Sequence, residues 1–194
     1  MKKVVIVLLA VVLAIGGGLR VYTVNRSVDI PVIQMFSKGE EVPVGKDFFS
    51  YADEDMDGYI VTVLDAELLS ATDFLKTYHA EAKAQLLGIF TDYIYTVHVR
   101  IANRDNPHTG EKGISLQQYM LCGTDYILSL EESCFLIANP KMPGSSFSMK
   151  KGTSMELLLT FDVMSQTVSV KHLTEDAPKL LISQYPHQKM IELD

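Results

Sequence analysis

The sequence has no tryptophan and only two cysteines in 194 residues. Without tryptophan, the chain lacks the strongest stacking residue for a sugar ring, which weakens a carbohydrate-binding interpretation. Neither cysteine lies near the amino terminus, so anchoring as a lipoprotein through an N-terminal cysteine is not expected. Positive charge is also scarce, with 17 lysines and arginines against 24 aspartates and glutamates. Because an acidic surface repels phosphate backbones, we expect no nucleic-acid partner.

Motifs that carry catalysis are missing as well. The sequence contains no G-x-S-x-G nucleophile elbow, and no glycine-rich phosphate loop follows a predicted strand. The acidic pairs at residues 131–132 and 175–176 are expected to be solvated surface in turns. No two histidines stand as a close pair at metal-ligand spacing. We therefore predict no enzyme, no cofactor and no catalytic, cofactor-binding or metal-binding residue. The five histidines are His79, His98, His108, His172 and His187.

The first recognisable segment of the sequence is an apolar leader at residues 1–24. Lys2 and Lys3 precede an apolar run over residues 4–19, and the next charge is Arg20. Lysines before an apolar core are typical of an export signal, because the cationic end stays in the cytoplasm. The run falls short of the roughly 20 residues that span a bilayer, but residues 21–24 extend it if Arg20 snorkels. We favour a retained single-pass anchor with an extracellular domain, and the alternative is cleavage at small residues 14–16 and secretion.

Beyond the leader, residues 25–49 are predicted to be an extended connector, since Pro31 and Pro43 disfavour helix. Residues 50–194 are predicted to form one extracellular domain. A single helix is expected there, capped by Thr72 and stopped by Gly88, with apolar residues at helical spacing. Period-two alternation and β-branched residues predict the strands. The predicted strands cover residues 59–69, 93–103, 114–122, 134–138, 155–163, 168–170, 179–182 and 190–193.

About eight short strands and one helix favour an antiparallel β-sandwich, since a parallel α/β fold needs a helix between successive strands. Four segments of the chain also resemble a family of uncharacterised proteins from Gram-positive Firmicutes. That resemblance implies a membrane-targeting N-terminus and an immunoglobulin-like β-sandwich with one inserted α-helix, and it implies no catalytic residues. The segments are residues 39–49, 56–63, 73–76 and 185–193.

The acidic loop at residues 53–58 matches the first half of a calcium loop, with Asp53, Asp55 and Asp57 at ligand positions and Gly58 at the turn. Its second half fails, because the position of the bidentate glutamate is Leu64. A solvated acidic turn is the alternative interpretation.

Two further groups of residues carry open hypotheses. Tyr51, Tyr59, Tyr93 and Tyr95 could form a platform for a sugar or a peptide, or they could belong to the core. The two cysteines, Cys122 and Cys134, could form a disulfide in an exported chain or stay as buried thiols.

Taken together, these patterns predict a non-enzymatic, membrane-tethered extracellular domain that makes protein or envelope contacts. A small-ligand module that binds calcium through residues 53–57, or a glycan, is the alternative.

Overall fold

The computed structural model describes residues 2–28, 30–52, 54–83, 91–108, 110 and 113–194. The chain divides into two compact units, Met1–Pro31 and Val32–Asp194. Gly88, which we predicted to stop the helix, and Asp53 of the acidic loop lie outside the described residues.

The first unit is dominated by one long helix, α1 (Lys2–Arg26). The most apolar 18 residues within Lys3–Arg26 have a mean hydropathy of 2.6, and none of them is buried. Twenty-four helical residues extend about 36 Å, against about 30 Å of bilayer hydrocarbon. The helix is therefore long and apolar enough to span a membrane or to act as a signal.

The second unit is mainly β, as the alternating patterns predict. Its strands are β1 (Val32–Phe36), β2 (Val42–Pro43), β3 (Tyr59–Ser70), β4 (Tyr93–Asn103), β5 (Ile114–Ser115), β6 (Met120–Cys122), β7 (Ile127–Ser129), β8 (Ser146–Phe147), β9 (Thr153–Val163), β10 (Lys179–Ser183) and β11 (His187–Glu192). Its described α-helices are α2 (Ala71–Thr77), α3 (Glu132–Ala138) and α4 (Val170–Glu175), and a 3-10 turn covers Glu81–Lys83.

The strands form a five-stranded sheet in the order β1-β11-β10-β6-β7 and a four-stranded sheet in the order β2-β3-β4-β9. A two-stranded sheet joins β5 to β8. The pairs are antiparallel except that β1 runs parallel to β11, with Val32 beside His187. Several antiparallel sheets and an N-terminal apolar helix thus confirm the coarse fold prediction.

One hydrophobic core lies between the two larger sheets. Val97 of β4 and Leu159 of β9 are fully buried in the same cluster as Leu121 of β6 and Leu180 of β10. Polar neighbours such as Arg100 lie on the opposite face of the four-stranded sheet. The period-two alternation along β4 and β9 follows from this two-sided environment.

A smaller cluster covers the outer face of the four-stranded sheet. Phe74 of α2 and Cys134 and Ile137 of α3 pack there with Ala80 and Ile94. The two short helices therefore bury apolar residues of the outer face that do not belong to the main core.

Helix α2 is shorter than predicted and begins at a different cap. Ser70 is the N-cap, because its hydroxyl accepts a hydrogen bond from the Asp73 N–H at 3.0 Å. The helix ends at Thr77, because His79 adopts a left-handed conformation with φ of 51° and the Ala80 N–H closes on the Leu75 carbonyl. The predictions of Thr72 as the cap and of one long helix were wrong.

Two predicted strands are not strands, since residues 134–138 lie in α3 and residues 168–170 lead into α4. In α3, the Glu131 carboxylate accepts from the Cys134 N–H at 2.6 Å and caps a helix where residues 134–138 were predicted to be extended. In α4, Ser169 caps the segment that contains Val170 in the same way. The domain therefore contains more than the one inserted helix predicted, because short apolar runs do not distinguish strand from buried helix.

Part of the predicted connector is paired into the sheets. Residues 32–36 form β1 against β11, and residues 42–43 form β2 against β3. The proline at position 43 is compatible with this arrangement because β2 lies at a sheet edge. The predicted strand over residues 114–122 is also divided, into β5 and β6.

Candidate functional site

Strand β1 is an open apolar edge of the five-stranded sheet. It pairs only with β11, so within the described chain no strand lies on its other side. Val32, Ile33 and Met35 are 61%, 60% and 44% exposed, whereas Phe36 packs against the core. An exposed apolar edge strand is a template for pairing with another chain.

The acidic loop is built into the fold through its backbone and one carboxylate. Glu54 accepts hydrogen bonds from the N–H groups of Phe49, Ser50 and Tyr51. The Asn106 side-chain amide donates to the carbonyls of residues 55 and 57. These contacts give the loop a turn-forming role, and the calcium hypothesis stays a prediction because Asp53 is outside the described residues.

Gly58 is needed where this loop meets the rest of the domain. It has a φ of +87°, and a Cβ there would overlap the backbone of Asn106. The sequence match at the turn position of a calcium loop therefore has a structural explanation of its own.

The four tyrosines do not form one platform. Tyr59 is fully buried and its hydroxyl accepts from the Met149 N–H at 3.0 Å, whereas Tyr51 is 69% exposed. Tyr59 pairs with Asn103 at one end of the β3–β4 ladder, and Tyr93 pairs with Ser70 at the other. Tyr93 and Tyr95 are partly buried against the core.

The two cysteines are free and buried in different places. Cys122 belongs to the core between the sheets, and Cys134 belongs to the outer cluster under α2 and α3. Burial raises the pKa of both thiols, and the nearby Glu131 carboxylate raises that of Cys134 further. The disulfide hypothesis was wrong because the strand predicted to carry Cys134 is a helix on the other face of the four-stranded sheet.

His98 is the half-exposed strand residue expected from the β4 pattern. Its Nε2 lies 3.2 Å from Oε2 of Glu156 on β9, and Arg100 binds the same carboxylate at 2.8 Å. Hydrogen bonding from Arg100 is the main cause that lowers the pKa of Glu156. The group is a cross-strand surface network.

A buried ion pair joins the two ends of the domain. Lys189 of β11 lies 2.8 Å from a carboxylate oxygen of Asp47, and both side chains are about nine-tenths buried. Lys189 also donates to the carbonyls of Pro43 and Val44 at 2.8 and 3.0 Å. His187 reaches the other oxygen of Asp47 at 3.2 Å. Because the ammonium group has partners on every side, this cluster has a structural role.

A second cluster gathers groups that suit a metal ion. Asp125 lies in the turn between β6 and β7, His172 lies on α4, and Asp176 follows the last residue of α4. One ligand atom from each of the three lies within 4.8 Å of the others. His172 Nε2 and Asp125 Oδ1 are 2.7 Å apart. Within the described residues, no other group of three such side chains meets this geometry.

Neighbouring residues hold this cluster in place. The Thr124 N–H and hydroxyl donate to the two carboxylate oxygens of Asp176 at 2.5 and 3.1 Å. The Tyr126 hydroxyl donates to the Asp176 carbonyl, and its ring meets the His172 imidazole edge to face at 5.5 Å. A Cβ at Gly123 would overlap the Tyr126 ring. The β6–β7 turn is therefore fitted against the end of α4.

The electrostatics of the cluster follow from these bonds. The hydrogen bond that the His172 imidazole donates to the Asp125 carboxylate is the main cause that raises the pKa of His172. The backbone N–H of Thr124 is the main cause that lowers the pKa of Asp176. The site thus offers two carboxylates and one imidazole beside one another at the surface.

Sequence reasoning missed this cluster. The sequence predicts position 176 to be part of a solvated acidic pair, and no histidine has a second histidine at metal-ligand spacing. The signal in the sequence is the i, i+4 spacing of His172 and Asp176, which brings both residues to the same side of a helix end. The third member, Asp125, comes from a distant turn and has no local signal.

Comparison with curated proteins and with solved structures finds no match. A family model described as a domain of unknown function, DUF5028, matches residues 33–189. This match begins within β1 and ends at Lys189 of β11, so it covers both larger sheets and the cluster at the end of α4. The chain therefore belongs to the DUF5028 family.

Proposed function

We propose that the chain is a non-enzymatic, membrane-tethered extracellular domain with an immunoglobulin-like sandwich, and that it acts through protein contacts. The contact surface is the open edge of β1, and its occupant is the β1 edge of a second copy of the chain. The observation that best supports this function is that β1 is an exposed, uncharged edge strand. Only residues 27–31 separate it from the apolar helix.

The tether is supported by the helix α1. Its apolar length exceeds the hydrocarbon thickness of a bilayer, and Arg20 is its one charged residue between Lys3 and Arg26. The sandwich is supported by the two sheets that bury one common core. Secretion after cleavage of the leader is the alternative fate of the same sandwich.

The other sheet edges favour β1 as the contact strand. Strand β2 is two residues long and contains Pro43, which removes a backbone donor. Strand β7 and the remaining edge strand, β9, approach each other through a bridge between Leu130 and Phe161 of β9. By contrast, β1 has the sequence Val-Ile-Gln-Met-Phe, with neither charge nor proline.

A second copy suits this edge because an antiparallel pair of identical strands closes under two-fold symmetry. An uncharged strand pairs with itself without like-charge repulsion, although the whole chain has a net charge of −7. Two chains tethered in one membrane also carry β1 the same number of residues after the helix.

The small-ligand alternative finds less support in the surface. A groove of about 340 Å³ lies between the end of α3 and β9, and its lining contains no aromatic residue. Ligand pockets of this size or larger are usually lined by aromatic and apolar side chains. For the glycan alternative, Tyr59 and Tyr93 of the expected platform stand at opposite ends of the β3–β4 ladder.

Membrane tethering is tested by fractionating cells that express the full chain and by measuring its intact mass. We expect the full-length mass in the membrane fraction and digestion of the domain by protease added outside the cell. A soluble product that has lost its first residues would contradict the membrane tether and support cleavage and secretion. A full-length chain that is protected from external protease would contradict an extracellular domain.

The β1 contact is tested by single cysteines at each position of residues 32–36 in the membrane-bound full chain, followed by mild oxidation and a non-reducing gel. We expect a homodimer band that is strongest at one position, where the two-fold axis brings equal residues to about 4.5–5.5 Å. The matched control is Ile127→Cys on β7, which is 64% exposed at the opposite edge of the same sheet. Equal cross-linking at both edges, or none at β1, would refute the contact.

A further inference from the structure

We propose that Asp125, His172 and Asp176 bind one divalent transition-metal ion, of which Zn²⁺ is the representative. The site lies outside the β1 edge and does not depend on the function proposed above. The three ligand atoms come from one turn and from the end of one helix, and all lie within 4.8 Å of one another.

The ligand set fits a transition metal in kind. One imidazole and two carboxylates are common zinc ligands, and three protein ligands leave a fourth position for water. Imidazole nitrogen favours zinc, copper and nickel, whereas calcium and magnesium prefer sites made of oxygen alone. The site is therefore distinct in chemistry from the acidic loop that contains Asp55 and Asp57.

The ligand set also fits in distance. Bonds of about 2.0–2.1 Å to a tetrahedral ion place neighbouring ligand atoms about 3.3 Å apart. His172 Nε2 and Asp125 Oδ1 stand at 2.7 Å and must separate by about half an ångström to admit the ion. Asp125 can make this movement, because its side chain is 70% exposed and lies in a turn.

Neighbouring side chains hold the candidate ligands in place, as they do around known metal ligands, whereas a simple surface ion pair lacks such contacts. Thr124 holds both oxygens of Asp176, and the edge of the Tyr126 ring rests against His172. Outer contacts of this kind orient the ligands of metal sites and raise their affinity. The His98–Glu156 pair has no such support, since its carboxylate is shared with the exposed Arg100.

The test is calorimetric titration of the purified full chain, in detergent and after treatment with a chelator, with ZnSO₄. We expect saturable binding of one Zn²⁺ per chain and a higher thermal midpoint in its presence. Asp125→Asn is expected to weaken zinc binding about ten-fold or more, because it removes one charged ligand from an exposed position. The matched control His98→Gln, which removes a histidine beside a carboxylate on β9, is expected to bind like the parent chain.

A second measurement identifies the ligands directly. Co²⁺ added in place of Zn²⁺ is expected to give the visible bands of a four-coordinate site in the parent chain and in His98→Gln, and to lose them in Asp125→Asn and Asp176→Asn. Circular dichroism of each metal-free variant separates lost binding from lost folding. Absence of saturable zinc binding by the folded parent chain, or equal weakening by Asp125→Asn and His98→Gln, would overturn the site.

Discussion

At the scale of single residues, the most consequential interaction is the ion pair between Asp47 and Lys189. Its two charges are buried, and the ammonium group is also bound by two backbone carbonyls. The family resemblance covers the two segments that contain these residues, but it implies no role for either residue. They lie at opposite ends of the domain, and a contact over such a separation leaves no periodic pattern in the sequence.

Removing one partner of this pair should destabilise the domain strongly. Lys189→Met leaves the Asp47 carboxylate buried with its charge uncompensated, and we expect a loss of about 3–5 kcal/mol in the free energy of unfolding. Denaturant unfolding of the full chain measures this loss. The control is Lys171→Met, which removes an exposed pair with Glu175 at 3.5 Å and is expected to cost less than about 0.5 kcal/mol. Similar losses in both variants would contradict the structural role of Lys189.

The two cysteines should be inert in the folded chain. Burial raises the pKa of both thiols, so little thiolate forms near neutral pH, and thiolate is the reactive species. We expect iodoacetamide at pH 8 to leave the native chain unmodified and to label both cysteines after unfolding in guanidinium chloride, as read by mass spectrometry. A native chain that reacts rapidly, or an unfolded chain with an intact disulfide, would contradict the structure.

At the scale of elements, the long strands were predictable and the short helices were not. Strands β3, β4 and β9 lie between a core and an outer face, so alternation repeats over enough residues to be recognised. Helix α3 presents only a short apolar run, and its helical character depends on the cap that Glu131 supplies. The end of α2 depends on the left-handed His79 and the burial of Ala80, which are tertiary outcomes.

The cap of α2 gives a direct test of structure against sequence pattern. Ser70→Ala removes the hydroxyl that accepts the Asp73 N–H, and we expect a loss of about 1 kcal/mol in the free energy of unfolding. Thr72, which the sequence pattern predicts to be the cap, is exposed. Thr72→Ala is therefore expected to lower the free energy of unfolding by only a few tenths of that amount. Thermal or denaturant unfolding compares the two variants. A larger loss for Thr72→Ala would place the cap where the sequence pattern put it.

At the scale of the whole molecule, the coarse fold class followed from strand count and turn spacing, since these reflect how a sheet divides its residues between core and solvent. The candidate metal cluster did not follow, because Asp125 reaches His172 only when the β6–β7 turn meets α4. The open edge at β1 could not be predicted from the sequence for a similar reason. Residues 32–36 have the composition of a strand, but their place beside β11 is set by the complete sheet.

The parallel pairing of β1 with β11 also dictates when the domain can be completed during synthesis. The first strand of the domain finds its neighbour in the last one, with Val32 beside His187. In a chain synthesised from its amino terminus, β1 therefore has no partner until the residues of β11 have emerged. Long-range pairing of this kind slows folding and prolongs the exposure of apolar strands to aggregation. A product that stops before residue 187 lacks the strand that pairs with β1 and leaves both edges of β1 open.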